Sequence, residues 1–186
     1  MLYYPKPHYY RYFVKRPKKR TALINRGYLL RMKAIEYQLK AFLSQTSGRK
    51  VVINLGCGYD ALPFTALSVF PTLCSGALFV DVDYEALIRE KVEIIKQNQE
   101  LSSLLGDVDS MEQEEIIVLR AESYLAVACD LANSQPLQDL LAKKFGSEVS
   151  YFIISEVSIT YMPVETADAL LSWTSRLKSG RSLWEA

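Results

Sequence analysis

The sequence predicts an α/β fold: an open, doubly wound, mostly parallel sheet covered by helices. Two observations carry that prediction. Short, almost wholly apolar runs rich in β-branched residues recur at residues 51–55, 77–83 and 151–154, which is how strands buried on both faces read. Around them lie stretches whose apolar positions recur at spacings of three and four, the period of an amphipathic helix. Alternation of the two is the pattern of a parallel sheet layered by helices. Composition agrees, since 186 residues at 49% hydrophobic and 23% charged suffice to bury one core of ordinary size. We divide the chain into an arm over residues 1–27 and one globular domain over 28–186.

Each element follows in order. Residues 1–20 interleave Tyr3, Tyr4, Tyr9, Tyr10 and Tyr12 with basic residues and Pro5, Pro7 and Pro17, a composition that predicts an extended arm. From Tyr28 to about Thr46, Leu29, Leu30, Met32, Ile35, Leu39, Phe42 and Leu43 predict a helix that Ser47-Gly48 ends. Residues 51–55 form a strand running straight into Gly56 and Gly58. The strand at 77–83 follows, then a helix from Tyr84 to about Asn98 with Leu87, Ile88, Val92 and Ile95 on one face. The polar, acidic stretch 99–114 reads as a surface loop. Two apolar runs, 116–119 and 124–129, precede a helix over about 137–145, the strand at 151–154 and a last helix from about 164 to 177.

The net charge of +1 conceals a strong asymmetry. Residues 1–35 carry ten Lys and Arg and no acid, whereas the other 151 residues hold 12 basic and 21 acidic side chains, a net −9. A basic run such as Lys15 to Arg20 suits phosphate contacts, with tyrosines to stack on exposed bases, although runs of charge are also common in plain solvated segments. No apolar run approaches the roughly 20 residues of a membrane span, and no signal-peptide pattern is present. Cys57, Cys74 and Cys129 are odd in number and set among apolar residues, as expected of buried free thiols in the cytoplasm. With His8 as the single histidine and no CxxC, a histidine-based hydrolase or a metal site is disfavoured.

The chemistry concentrates where strands end. Residues 51–55 lead to Gly56-Cys57-Gly58, residues 77–82 to Asp83, the run 124–129 to Asp130, and 151–154 to Ser155-Glu156. In an open parallel sheet such groups converge on one crevice beyond the carboxyl ends of the strands. Glycine there admits close approach of a ligand to backbone, and an acid ending the second strand can accept hydrogen bonds from ribose hydroxyls. The neighbouring Asp81 competes with Asp83 for that role, and Asp83 is preferred for its place at the strand end. Asp130 can equally cap a turn into Leu131. The stretch from Gly56 to Ala61 lacks the third glycine of a dinucleotide fingerprint. S-adenosylmethionine fits better, because it has no phosphate and its sulfonium suits a pocket lined by Asp83, Asp130 and Glu156.

Several runs together resemble the leucine carboxyl methyltransferase family. They are residues 23–31 (LINRGYLLR), 54–60 (NLGCGYD), 79–84 (FVDVDY), 129–131 (CDL) and 155–162 (SEVSITYM), in the family's order and at similar spacing. The resemblance implies a Rossmann-like class I S-adenosylmethionine-dependent methyltransferase. It assigns Arg31 to the methionine carboxylate, Gly56 to the floor of the cofactor pocket and Asp83 to the ribose. Asp130 and Leu131 then flank the adenine, and Glu156 lies near the sulfonium and amino group. Within the family, one branch methylates the C-terminal leucine of the protein phosphatase 2A catalytic subunit. The other methylates the wybutosine precursor in phenylalanine tRNA, and residues 13–20, 79–84 and Ser155-Glu156 look more like that tRNA branch. A carboxylate substrate has a pKa near ~4 and needs no general base, so placement and exclusion of water carry the catalysis.

The chain departs from the family at both ends. The family's Ser-Lys segment ahead of the arm is missing, and residues 178–186 match no family strand. We therefore read the domain as truncated after the fourth core strand and its helix, expect residues 151–154 to form an uncovered edge, and keep open a non-catalytic fragment that binds cofactor or a partner.

Overall fold

The computed structural model describes residues 8–14, 20–108, 116–145 and 149–177, together with the backbone of 182–185. In chain order the elements are α1 (Tyr10–Phe13), α2 (Ala22–Gln45), β1 (Arg49–Leu55), α3 (Leu62–Val69), α4 (Pro71–Cys74), β2 (Ala77–Asp83), α5 (Glu85–Gln97) and α6 (Gln99–Ser102). Then come β3 (Ile117–Arg120), β4 (Tyr124–Ala128), a 3₁₀ turn (Leu131–Asn133), α7 (Gln135–Lys144), β5 (Val149–Glu156), a second 3₁₀ turn (Ile159–Tyr161), α8 (Val164–Arg176) and β6 (Ser182–Glu185).

The strands form one sheet of order β3-β4-β2-β1-β5-β6. β1 lies inside it, paired in parallel with β2 (Val52 opposite Phe79) and with β5 (Val52 opposite Phe152). β2 pairs in parallel with β4, and only β3 runs antiparallel to its neighbour. Because alternate strand residues face opposite ways, the sheet supports two cores. On one face Val52, Phe79, Tyr124 and Phe152 pack with Leu39 and Phe42 of α2, Phe64 of α3 and Ile88 of α5. On the other Val51, Ile53, Val80 and Val127 pack with Leu137 and Leu141 of α7 and Leu170 and Trp173 of α8.

Four expectations are corrected. The arm is not uniformly extended: residues 10–13 form a helical turn, and Tyr9 and Phe13 are buried against Phe64, with ring centroids 6.4 and 5.6 Å apart. Arg11 adds an ion pair of 2.6 Å with Glu100, which also accepts a hydrogen bond from Tyr12. Pro5, Pro7 and Pro17 lie outside the described residues, as do Lys15 to Lys19. Second, α2 begins at Ala22 rather than Tyr28, with the Thr21 side chain accepting from the Ile24 amide at 3.4 Å. Its first turns are exposed, so no apolar stripe announces them. Third, residues 99–108 are not all surface loop, because α6 and the turn after it bury Leu101 and Leu105 completely; residues 109–114 lie outside the described residues. Fourth, β5 is no uncovered edge, since β6 pairs with it in parallel. Among the described residues no helix is long and apolar enough to cross a membrane.

Candidate functional site

The strand order reverses at β1, with β2, β4 and β3 on one side and β5 on the other. At that reversal, beyond the carboxyl ends of the strands, opens a cavity of about 340 Å³, the place and size expected of a ligand site in a doubly wound sheet. Gly56 after β1, Asp83 at the end of β2 with Tyr84 after it, Cys129 to Ala132 after β4, and Glu156 at the end of β5 with Val157 and Ser158 after it line it, together with Tyr161 to Pro163. Five of the six residues singled out from the sequence, Gly56, Asp83, Asp130, Leu131 and Glu156, therefore meet in one place. The sixth, Arg31 of α2, does not line the cavity itself but pairs with Glu156, which does: its Nε and Nη2 both lie 2.6 Å from Glu156 Oε1, and its guanidinium stacks on the Tyr28 ring at 4.8 Å.

Asp83 is almost buried and binds the loops around it. Oδ2 accepts from the Gly58 amide and Oδ1 from the Tyr84 amide, each at 2.8 Å, which leaves each oxygen a second lone pair. Asp81, its rival in the sequence, is withdrawn from the cavity into the core. There it pairs with Lys91 at 2.7 Å, both side chains at most 1% exposed, and accepts from the Tyr124 hydroxyl at 2.7 Å. Asp130 caps the following 3₁₀ turn through the Ala132 amide at 2.9 Å while lining the cavity, so it has both roles weighed for it.

Gly56 lines the cavity and has a further reason to be glycine. Its φ is +72°, and a Cβ there would meet Ser158 Cβ at 2.3 Å. The space that glycine leaves is thus filled by the turn after β5. Within that turn Val157 sits at φ +63°, a left-handed conformation that a β-branched residue adopts only under constraint, at a cost of roughly 1–3 kcal/mol.

Beneath the cavity lies a polar network that sequence reasoning missed. The Lys91 ammonium also donates to the Asp60 carbonyl at 2.8 Å. Asp60 keeps some surface exposure, yet its carboxyl is enclosed by the Tyr10 hydroxyl at 2.9 Å, the Asn54 amide at 3.0 Å and the Leu62 N–H at 3.1 Å. Burial, reinforced by the charge on Asp81 and opposed by Lys91, pushes Asp60 up to about 6. Burial works against the Lys91 ammonium, but the groups around it, Asp81 foremost and Asp60 with it, together raise its pKa. One signal was available: Lys91 falls on the face of α5 that Ile88, Val92 and Ile95 bury.

The three cysteines are free and buried, and burial pushes the Cys57 and Cys129 thiols up. Among the described residues no group of three or more His, Cys, Asp or Glu side chains is placed to hold a metal ion.

Residues 4–175 match the family model described as leucine carboxyl methyltransferase. The chain belongs to the leucine carboxyl methyltransferase family. Relatives within reach of this family domain carry the name tRNA wybutosine-synthesizing protein 4. That of Aspergillus fumigatus is 48% identical over 181 residues, 96% of this chain and 17% of its own length. That of Aspergillus oryzae is 44% identical over 96% of this chain and 18% of its own. That of Saccharomyces cerevisiae is 36% identical over 92% of this chain and 26% of its own. The chain thus spans about a sixth to a quarter of the length of these relatives. Membership agrees with the sheet order and with the methyltransferase fold that the motifs implied.

Proposed function

We propose that this chain forms the S-adenosylmethionine site of a carboxyl O-methyltransferase that acts on the wybutosine precursor side chain of phenylalanine tRNA. The observation that carries the reading is the convergence of Gly56, Asp83, Asp130, Leu131 and Glu156 on one cavity at the switch point of the sheet. The name shared by the relatives favours tRNA over a phosphatase peptide as substrate.

The donor set fits the cofactor. Asp83 keeps lone pairs for the two ribose hydroxyls after serving Gly58 and Tyr84. Asp130 and Leu131, joined through the 3₁₀ turn, bound the adenine side. The Arg31–Glu156 pair uses Nε, Nη2 and Oε1, which leaves Nη1 to hold a ligand carboxylate and Oε2 to face an ammonium or sulfonium. A guanidinium fork suits that division, because it serves two acceptors at once. When bound, S-adenosylmethionine supplies an electrophilic methyl group on a positively charged sulfur. A substrate carboxylate is ionised at neutral pH, so no side chain has to take a proton from it; the lining residues bind, orient and exclude water.

The test is calorimetry of S-adenosylmethionine binding, followed by methyl transfer to precursor tRNA and to the C-terminal peptide of the phosphatase 2A catalytic subunit. We expect binding by the wild-type chain, loss of at least about tenfold in affinity in Asp83→Ala, equivalent to about 1.4 kcal/mol, and transfer to tRNA. A folded chain that binds no cofactor sinks the reading. Transfer to the peptide instead assigns the phosphatase as substrate, and binding without transfer to either reduces the chain to a cofactor-binding unit.

A further inference from the structure

The turn after β5 is held in a shape that its own sequence resists. Val157, at φ +63°, lies between Glu156 and Ser158, and all three line the cavity. What holds it is Ser158. Its hydroxyl donates to the Leu55 carbonyl at 2.7 Å and lies 2.7 Å from the Ser155 hydroxyl. Its Cβ occupies the place a side chain on Gly56 would take. One hydrogen bond to β1, one back to β5 and one steric seat thus lock the turn between the ends of the two strands. Strain of this kind persists only where its surroundings over-determine it, and such places cluster at ligand sites.

We propose that Ser158 is a positioning residue: by clamping the 156–158 turn onto β1 it keeps Val157 left-handed and aims the Glu156 carboxylate into the cavity, where its Oε2 faces the cationic head of the ligand. The proposal rests on the cofactor reading above. A relaxed Val157 would rotate the peptide units on both sides of it, and Glu156 is the first residue to turn with them. The adenosine half of the ligand, held by Asp83 and Asp130 from β2 and β4, would be untouched.

That division supplies the test. Binding of S-adenosylmethionine is compared with binding of 5′-methylthioadenosine, which is neutral and lacks the amino-acid head, in wild type, Ser158→Ala, Ser158→Thr, Glu156→Gln and the Ser158→Ala/Glu156→Gln double variant. We expect Ser158→Ala to loosen S-adenosylmethionine about tenfold and the neutral ligand less than twofold. Threonine, which keeps the hydroxyl, should restore binding, and the double variant should bind no more weakly than Glu156→Gln alone. Equal loosening of both ligands, additivity in the double variant, or wild-type affinity in Ser158→Ala overturns the proposal. Ser155→Ala, which keeps the Leu55 bond, should give a smaller loss with the same selectivity and serves if alanine at 158 does not fold. A ligand-free readout separates the two ideas: the Val157 amide-to-Hα coupling and the Arg31 Nε–H shift, both read by NMR. If wild type binds neither ligand, the cofactor reading fails. The clamp still stands if both signals move in Ser158→Ala and stay in Ser158→Thr, and falls if neither moves.

Discussion

Lys91 and Asp81 form an ion pair within the core, 0% and 1% exposed, in which Asp81 also accepts from the Tyr124 hydroxyl and Lys91 also donates to the Asp60 carbonyl. Removing one partner leaves the other charged and buried. We predict that Lys91→Met lowers stability to urea by about 3–5 kcal/mol and that adding Asp81→Asn recovers most of the loss. Asp60 behaves differently, because its carboxyl is pushed up to about 6 rather than held ionised. Between about pH 4 and 6 the folded chain keeps a proton there that the unfolded chain has released, so this contribution is full at low pH and is lost as pH rises through 6. The stability of wild type relative to Asp60→Asn should therefore fall by about 2–3 kcal/mol from pH 4 to pH 7 in urea titrations. A difference that is flat with pH, or rises, contradicts the assignment. Beyond the place of Lys91 on the apolar face of α5, this is not legible in the sequence, because a lysine on a helix and an aspartate in a strand acquire meaning only once their elements pack face to face.

At the scale of elements, α2 divides into two halves. Ile35, Leu39, Phe42 and Leu43 bury its second half against the sheet, whereas Leu23 and Leu30 are 81% and 68% exposed. The apolar periodicity is legible from Tyr28 onward, but spacing alone does not separate the buried positions from Leu30, which faces solvent. We predict that Leu39→Ala costs about 2–5 kcal/mol while Leu30→Gln stays within about 0.5 kcal/mol of wild type, both measured as shifts in the urea midpoint. The strands were more legible than the helices, since a run such as 77–83 has no amphipathic alternative. The antiparallel direction of β3 follows from the short connection Ala121–Ser123, which is too short for the crossover a parallel neighbour needs, and not from the apolar run itself. The docked arm was missed for a related reason: Tyr9 and Phe13 are useful only against Phe64 of α3.

The whole molecule brings together residues far apart in sequence. Arg31 and Glu156 are 125 positions apart and 2.6 Å from each other, and Glu156 lines a cavity whose other walls come from the ends of β1, β2 and β4 and from Tyr161 to Pro163. A ligand held by so many separate elements stabilises the folded state as a unit. At one hundred times its dissociation constant S-adenosylmethionine should add about 2.7 kcal/mol, a rise of roughly 5–10 °C in Tm for a chain of this size. Asp83→Ala should abolish most of that rise, and an unchanged rise would detach Asp83 from the site.

By itself the sequence determined the class of fold, the strands and the four longest helices, and the short list of polar residues at strand ends. These are local properties: period, β-branching, and a glycine or acid at the end of an apolar run. Only the tertiary structure decided which of two neighbouring aspartates faces the cavity, that Arg31 holds Glu156, and that Gly56 is a glycine because Ser158 packs against it. Those outcomes depend on which elements become neighbours, and contacts between residues far apart in sequence exist only after the sheet has assembled.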